Sequence, residues 1–510
     1  MVKHHLIHQQ PKNGEEAKPF SNAPSLETQQ SIKPHHHDHH LLFMDHYCPN
    51  IRKSKPKLFR LFFLFVALCV SLSFAPRILG FFYSIGADDF DIEGLFGANR
   101  SPTQCSSAAN NTICCDRTGF RSDVCYMRGD VRTDSASASI VLHDPSMGNR
   151  STQSELIRPY TRKWETSVMS TIDELKLVSS GDNNRSRRCD VVHEVPAVVF
   201  STGGYTGNVY HEFNDGIVPL FITSRQFNKK VVFVIVEYHS WWVTKYGDVV
   251  SRLSDYPLID FSGYNRTHCF PEAIVGLQIH DELSVDPKRM RDNRTSILDF
   301  RALLDEAYKP RVQSLVQEEQ TQTQSPAPLL LTKPKLTIIS RNGSRAITNE
   351  RELAALGERI GFKVVILRPE RTTELAKIYR ALNSSNAMIG VHGAAMTHFL
   401  FMRPGTVFIQ VVPLGTDWAA SNYYGDPAVK MGLRYMAYKI QPKESSLYGE
   451  YAKDDPVLRN PESVNAKGWE MTKRVYLDGQ NVNLDLKRFG KRLVRAYEYL
   501  MVLKQRRLVD

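Results

Sequence analysis

Residues 389–413 read IGVHGAAMTHFLFMRPGTVFIQVVP: a short apolar run, then His-Gly-Ala-Ala, then an amphipathic stretch and a second β-branched run. Two buried strands flanking a helix produce this pattern, with the histidine and glycine where the first strand hands over to the helix. The rhythm extends upstream. LTIIS (336–340), KVVIL (363–367), AMIGV (387–391) and TVFIQVV (406–412) alternate with helix-like NERELAALGERIG and TTELAKIYRALNSS. Strand, helix, strand, helix is the signature of a doubly wound parallel sheet.

In such a sheet, ligands collect beyond the carboxyl ends of the strands. His392 and Gly393 fall there, and Ala394 begins the next helix. A helix start carries unpaired N–H groups and a partial positive charge, which suits a phosphate; Gly393, Ala394 and Ala395 are small enough for an anion to approach the backbone. His392 and Thr397 add hydrogen-bonding groups. Arg341 and Arg345, within SRNGSRAITNE (340–350), directly follow the first strand of the same unit and flank an Asn-Gly turn. Both guanidinium groups can therefore reach one anion. Small residues at a strand-helix turn also serve tight packing, but two arginines beside them favour a diphosphate. The lack of a G-x-G-x-x-G or Walker sequence argues against an ordinary NAD or ATP site.

An earlier set of apolar runs, VPAVVFS (195–201), KKVVFVIV (229–236) and PLIDF (257–261), predicts a second α/β domain. After its first run comes GGYTGNVYHEFNDG (203–216), where His211, Glu212 and Asp215 lie beside glycines at a loop-to-helix start that can expose a general base. At a spacing of four, a helical turn brings Asp215 to His211, and Asp215 either orients the imidazole or takes the proton itself. Helix capping by an acidic residue is the bland alternative.

At 510 residues and 42% hydrophobic content, the chain is long enough for two or three domains and is not disordered. Its net charge of +11, from 65 Lys+Arg against 54 Asp+Glu, does not by itself choose a partner. Residues 58–79, LFRLFFLFVALCVSLSFAPRIL, approach the length of a bilayer span, with Arg60 and Arg77 able to snorkel. About 57 residues precede it, which argues against a signal peptide. Arg52, Lys53, Lys55, Lys57 and Arg60 crowd its N-terminal side and ADDFDIE (87–93) follows it, so the expected topology is type II with a lumenal body. The sequons Asn99, Asn110, Asn149, Asn184, Asn265, Asn293, Asn342 and Asn383 all fall beyond the span. That topology also disfavours nucleic acid as a partner. Cys105, Cys114, Cys115, Cys125, Cys189 and Cys269 permit up to three disulfides in an oxidising space, and their spacing gives neither the connectivity nor a zinc site.

The expected partition is a His-rich cytosolic tail (1–57), an anchor (58–79), a stem and cysteine-containing entry segment (80–190) and an acceptor-side α/β domain (191–310). A linker or insertion (311–335), a nucleotide-binding α/β domain (336–484) and a C-terminal packing helix (485–510) complete it. The only D-x-D, Asp89-Phe90-Asp91, lies outside both α/β units, so charge neutralisation by arginines is favoured over a carboxylate-held cation.

In combination, CCDRTGFRSDVCYMRGDVR (114–132), His211-x-Phe213-x-Asp215, SRNGSRAITNE, GVHGAAMTH (390–398) and YKIQPKESSLYGEY (438–451, with Glu444) resemble glycosyltransferase family 61, particularly its plant Golgi xylan arabinosyl- and xylosyltransferases. The resemblance implies a two-domain GT-B fold, a UDP-sugar donor, inversion at the anomeric carbon, a xylan or other glycan acceptor and no obligatory metal. It implies that Arg341, Arg345 and His392–Thr397 hold the pyrophosphate, that Glu444 reaches the donor, and that His211 and Asp215 face the acceptor. The family often has glycine where this chain has Ala395. The alternatives are β-1,2-xylose transfer to an N-glycan and a non-catalytic glycan-binding scaffold. Trp241, Trp242, Tyr246, Tyr423 and Tyr424 are candidates for stacking on sugar rings or for the core. The sequence sets no oligomeric state.

Overall fold

The computed structural model describes Cys105 and residues 109–147, 154–181, 188–263, 265–322 and 333–509. The tail, the expected anchor, Asp89–Asp91 and the sequons Asn99, Asn149 and Asn184 lie outside the described residues. Among the described residues no helix is long and apolar enough to cross a membrane.

Ten strands form the first sheet: β1 (Thr112–Asp116), β2 (Val124–Asp134), β3 (Ser139–His143), β4 (Ser154–Ile157), β5 (Leu175–Ser180), β6 (Val191–Val192), β7 (Ala197–Ser201), β8 (Val232–Val236), β9 (Ile259–Asp260) and β10 (His268–Val275). Their order is β4-β5-β3-β2-β10-β7-β8-β9, with β1 against β2 and β6 against β10. The β10-β7-β8-β9 part is parallel, and its order reverses between β7 and β10. The rest is largely antiparallel, because β2 pairs in that sense with β1, β3 and β10. Two expectations are corrected here. Strands β1–β5, within 112–147 and 154–180, belong to a domain sheet where a stem and cysteine-containing entry segment (80–190) was expected, and this sheet is mixed, not doubly wound throughout. Long-range pairing decides both: β2 finds β10 some 140 residues downstream, and the Cys189–Cys269 disulfide ties the entry to β10. Cys105–Cys114 and Cys115–Cys125 complete the pairing of the six cysteines from Cys105 onward.

The second sheet is wholly parallel. Strands β11 (Lys335–Ile339), β12 (Lys363–Leu367), β13 (Ala387–Val391), β14 (Val407–Val412) and β15 (Arg434–Lys439) stand in the order β12-β11-β13-β14-β15. Strand β13 is buried at all five positions and β14 at all six, as parallel strands covered on both faces require. The order reverses between β11 and β13, which opens a crevice at their carboxyl ends.

Helices α1 (Ser240–Val250), α2 (Ile297–Gln322), α3 (Glu350–Ile360), α4 (Leu375–Asn383) and α5 (Leu486–Val509) cover the sheets. The stretch expected as a linker is helical over 311–322. Leu303, Leu304, Ala307, Tyr308 and Leu315 are buried along α2, and Arg311 pairs with Glu374, so one lost N–H at Pro310 does not end the helix.

One apolar cluster runs through both halves, with Phe213 meeting Phe300 and Phe401 edge-on at 6.4 and 5.9 Å. Buried Arg301 on α2 donates to the Met402 carbonyl at 2.8 Å and to Asn383 Oδ1 at 2.6 Å, pinning the halves together. Asn383 is thus a half-buried sequon with an occupied side chain, whereas Asn110, Asn265, Asn293 and Asn342 are exposed. Of the aromatics considered for stacking, Trp242, Tyr246 and Tyr424 are core residues.

Candidate functional site

The crevice between β11 and β13 is lined by the residues its strands deliver. Gly393 has φ 145°, a region natural to glycine, and a Cβ there would meet Arg341 Nη1 at 2.4 Å and Arg345 Nη1 at 2.9 Å. Both guanidinium groups therefore crowd the same point of the β13 turn. Arg345 Nη1 donates to the His392 carbonyl at 3.2 Å. Its backbone is left-handed at φ 57°, held there because its N–H donates to the Gln480 carbonyl at 2.6 Å and Ala346 N to Asn481 Oδ1 at 2.9 Å. A bulky residue in that conformation stores strain of about 1–3 kcal/mol. Among the described residues no carboxylate lies within 4.0 Å of either guanidinium, and both Nε atoms are buried without a hydrogen-bond partner. Burial lowers the pKa of Arg341; burial and then the charge of Arg341 bring Arg345 down to about 10. Two desolvated cations side by side repel one another, and an anion between them relieves both costs.

The segment after Gly393 is a 3₁₀ helix, Ala394–Phe401, not the expected α-helix. Its opening N–H groups still have no partner within the helix, because the first internal bond runs from Met396 N to the Gly393 carbonyl, and Ala394 and Ala395 are half-exposed. His392 is buried, and its Nδ1 accepts from Gln410 Nε2 at 3.1 Å, while Gln410 Oε1 accepts from the Tyr435 hydroxyl at 2.7 Å. Burial, Arg345 and Arg341 push its pKa down to about 3. The imidazole is consequently neutral with its proton on Nε2, a donor that needs no charge. Thr397 is buried beside the Tyr424 hydroxyl.

Beyond β7, residues 209–224 form one helical stretch with a π segment, Glu212–Ile217, in its middle. Pro219 has no N–H for the Asp215 carbonyl, and the Thr161 hydroxyl donates to that carbonyl at 2.7 Å instead. This brings Arg162 onto the Asp215 side chain. Asp215 Oδ2 accepts from Arg162 Nε at 2.8 Å and from His211 Nδ1 at 2.6 Å; Oδ1 accepts from Asn214 Nδ2 at 2.8 Å. Burial alone would raise the pKa of Asp215, but the His211 bond and the Arg162 charge hold it below the usual carboxylate range. His211 Nδ1 also lies 3.1 Å from Arg162 Nη2, but its shorter bond is to the carboxylate, which only accepts, so Nδ1 carries a proton. Asp215 has no exposed side-chain surface and His211 has 15%. The neighbouring Glu212 turns inward, accepting from Trp242 Nε1 at 2.6 Å and from Gly207 N at 2.6 Å.

The two loops meet. Tyr210 packs on the His211 ring at 5.1 Å and on Tyr424 at 5.8 Å, and Tyr424 meets His392 at 5.4 Å. A chain of ring contacts, His211–Tyr210–Tyr424–His392, thus links the His211–Asp215 pair to the turn that carries Gly393, Ala394 and Thr397 and is crowded by Arg341 and Arg345. The Glu444 carboxylate is occupied within the fold: its Oε1 accepts from the Tyr438 hydroxyl at 2.6 Å and Asp485 N at 2.8 Å, and its Oε2 from Gln441 N at 2.8 Å and from Arg488. With its lone pairs taken, it latches β15 to the start of α5 and has none left for a donor molecule. Arg162, Glu165 and Tyr205 were missed by sequence reasoning. Tyr205 stacks on His211 at 4.1 Å and donates to Glu165, which also pairs with Arg162 at 2.5 Å. The one grouping of potential metal ligands among the described residues, Asp130 with Cys189 and Cys269, consists of a disulfide and an aspartate paired with Arg132.

Residues 210–409 match the glycosyltransferase 61 family. Over 465 residues the chain is 55% identical to xylan glycosyltransferase MUCI21 of Arabidopsis thaliana, covering 88% of this chain and 93% of that protein. It is 38% identical to the alpha-1,3-arabinosyltransferase XAT3 of Oryza sativa subsp. japonica over 76% of this chain and 65% of that one. Identity to the beta-1,2-xylosyltransferase XYXT1 of the same plant is 36%, over 76% and 84%. A solved bacterial iron-containing glycosyltransferase, TibC of enterotoxigenic E. coli, aligns over 62% of this chain and 81% of its own at 11% identity; the TM-score of 0.23 is too low to bear on geometry.

Proposed function

The chain belongs to glycosyltransferase family 61, and from that premise we propose that it transfers a pentose, arabinofuranose or xylose, from a UDP-sugar to a xylan backbone or its side chains with inversion. The acceptor class follows the relatives, which include a xylan glycosyltransferase, an arabinosyltransferase and a xylosyltransferase. In this reading the two α/β halves are the domains of a GT-B enzyme, and the chain is a type II Golgi membrane protein with a lumenal body.

The UDP diphosphate lies against Arg341, Arg345, the amides at Ala394 and Ala395, and Nε2–H of His392. An acceptor hydroxyl gives its proton to His211 Nε2 while its oxygen forms the bond to the anomeric carbon. The bond from that carbon to the UDP oxygen breaks, and its electron pair leaves on the diphosphate. One displacement inverts the configuration. His211 is preferred to Asp215 as base because Asp215 is inaccessible and its carboxylate already accepts three bonds. Asp215 orients the ring and stabilises the imidazolium, within a general-base contribution of about 10²–10⁴. The growing negative charge on UDP is met by fixed guanidinium and amide donors, each worth on the order of 10²–10³ in rate. No obligatory metal enters this scheme.

The observation that carries the reading is the pair of buried guanidinium groups without a carboxylate, an aromatic chain away from a base. The test is to incubate the full-length protein with a panel of UDP-sugars and with xylan oligomers or N-glycans, with and without chelator. Release of UDP together with an elongated xylan oligomer is expected, chelator present or not. Transfer to N-glycans only would replace the acceptor, and glycan binding without UDP release would make the protein a scaffold.

A further inference from the structure

The loop between β1 and β2 ends in an outward aromatic. Phe120 is 49% exposed and stacks on Trp164 with ring centroids 5.2 Å apart and planes 9° from parallel. A lone exposed phenylalanine needs no explanation. A stacked pair on a clamped loop is different. Cys115–Cys125 closes the base of this loop, Arg117 pairs with Asp123 across it at 2.9 Å, and Lys163 reaches the same Asp123 at 2.6 Å. The platform is therefore rigid before anything binds, which lowers the ordering cost of association.

Its position relative to the base is set by arginines. The guanidinium groups of Arg121 and Arg162 lie 5.4 and 5.0 Å from the Trp164 centroid, and Arg162 also grips Asp215. One side chain thus separates the platform from the His211–Asp215 pair. From the other half of the chain, Tyr423 packs on Tyr210 at 5.4 Å, and Trp418, 61% exposed, meets Tyr423 at 5.5 Å. Two exposed aromatics, Phe120 and Trp418, are thus each joined to the dyad through a short chain of packed side chains. The nearby cations have carboxylate partners: Arg121 with Glu282 at 3.0 Å, Arg162 with Asp215 and Glu165, and Lys163 with Asp123. The surroundings therefore favour a neutral occupant.

A pyranose ring has an apolar C–H face that suits an aromatic plane and hydroxyls at its rim that suit water. We infer that Phe120 and Trp164 form a stacking subsite for a ring of the acceptor glycan next to the one presented to His211, with Trp418 as a second aromatic contact, so that a neutral glycan chain is bound and not a single sugar. The inference rests on the glycosyltransferase reading and deepens it by naming what recognises the acceptor.

The test compares full-length wild type with Phe120→Ala and Trp418→Ala, both at exposed positions where folding is not at stake. Calorimetric affinity for β-1,4-xylo-oligomers of rising length is measured alongside acceptor KM, donor KM and transfer. The expected result is that wild-type affinity grows with length. In Phe120→Ala, Kd and acceptor KM for the longest oligomers rise about tenfold and the length dependence flattens, with donor KM unchanged; Trp418→Ala acts in the same direction. Wild-type length dependence retained in both variants overturns the inference, as does failure of wild type to bind any oligomer. Length-dependent binding lost in Phe120→Ala without transfer by wild type would support the subsite and refute the catalytic reading.

Discussion

Replacing Asp215 with asparagine removes one charge from a site with no water to replace it. The carboxylate accepts from Arg162 at 2.8 Å and from His211 at 2.6 Å, with no exposed side-chain surface. Asparagine keeps the shape and one acceptor, but it cannot offset both Arg162 and a nascent imidazolium, and it no longer forces the proton onto Nδ1. The loss in kcat should lie in the general-base range of about 10²–10⁴, or ~3–5 kcal/mol at 1.36 kcal/mol per decade. Stability falls by less than the ~3–5 kcal/mol typical of a broken buried pair, because Glu165 still pairs with Arg162 at 2.5 Å. Acid provides an independent signature. The folded pKa is depressed, so the carboxylate stabilises the fold above its unfolded value near ~3.9, and that contribution is lost as pH falls through the lower folded value. The stability gap between wild type and variant should therefore narrow below about pH 4. The assay pairs initial-rate kinetics with UDP calorimetry and denaturant melts from pH 3 to 7. Wild-type kcat in a folded Asp215→Asn protein would refute the dyad.

Three further outcomes follow from the geometry. Gly393→Ala should displace both guanidinium groups, since the new methyl meets their Nη1 atoms at 2.4 and 2.9 Å; UDP affinity drops about tenfold or more while circular dichroism is unchanged. In Glu444→Gln, the buried latch with Arg488 and Tyr438 weakens, costing about 1–3 kcal/mol in a melt without altering donor KM. His392, His280 and His398 are held neutral by burial first, with pKa values near 3, 4 and 4, so below about pH 6.5 the unfolded chain binds protons that the fold refuses. Stability should fall as pH drops from 6.5 towards 4, and His398→Gln should flatten that slope.

The C-terminal sheet was legible because each strand is a local apolar run followed by a local helix. Arg341, Arg345 and Gly393 could be grouped from sequence because parallel topology sends all strand ends to one edge. His211 and Asp215 were legible as an i,i+4 pair, although Pro219 and the resulting π segment, which admit Thr161 and Arg162, were not. Arg162 belongs to a stretch whose strands are short and pair with residues far along the chain, so no local period marks it. The helix over 311–322 was hidden by its Gln and Thr content, because most of the buried residues of α2 precede Pro310 and only Leu315 continues that face as a buried residue beyond it. Glu444 was placed near the donor through a family motif, and the four donors that occupy it come partly from residues 485 and 488, invisible to the motif.

In the proposed reaction two cations and bare amides receive a diphosphate. Titration of UDP and of uridine into wild type, Arg341→Ala, Arg345→Ala and the double variant, with chelator present, tests this most directly. UDP affinity should fall about tenfold or more in each single variant and further in the double, while uridine affinity stays unchanged. A double variant that binds UDP as tightly as wild type would place the leaving group elsewhere and contradict the account.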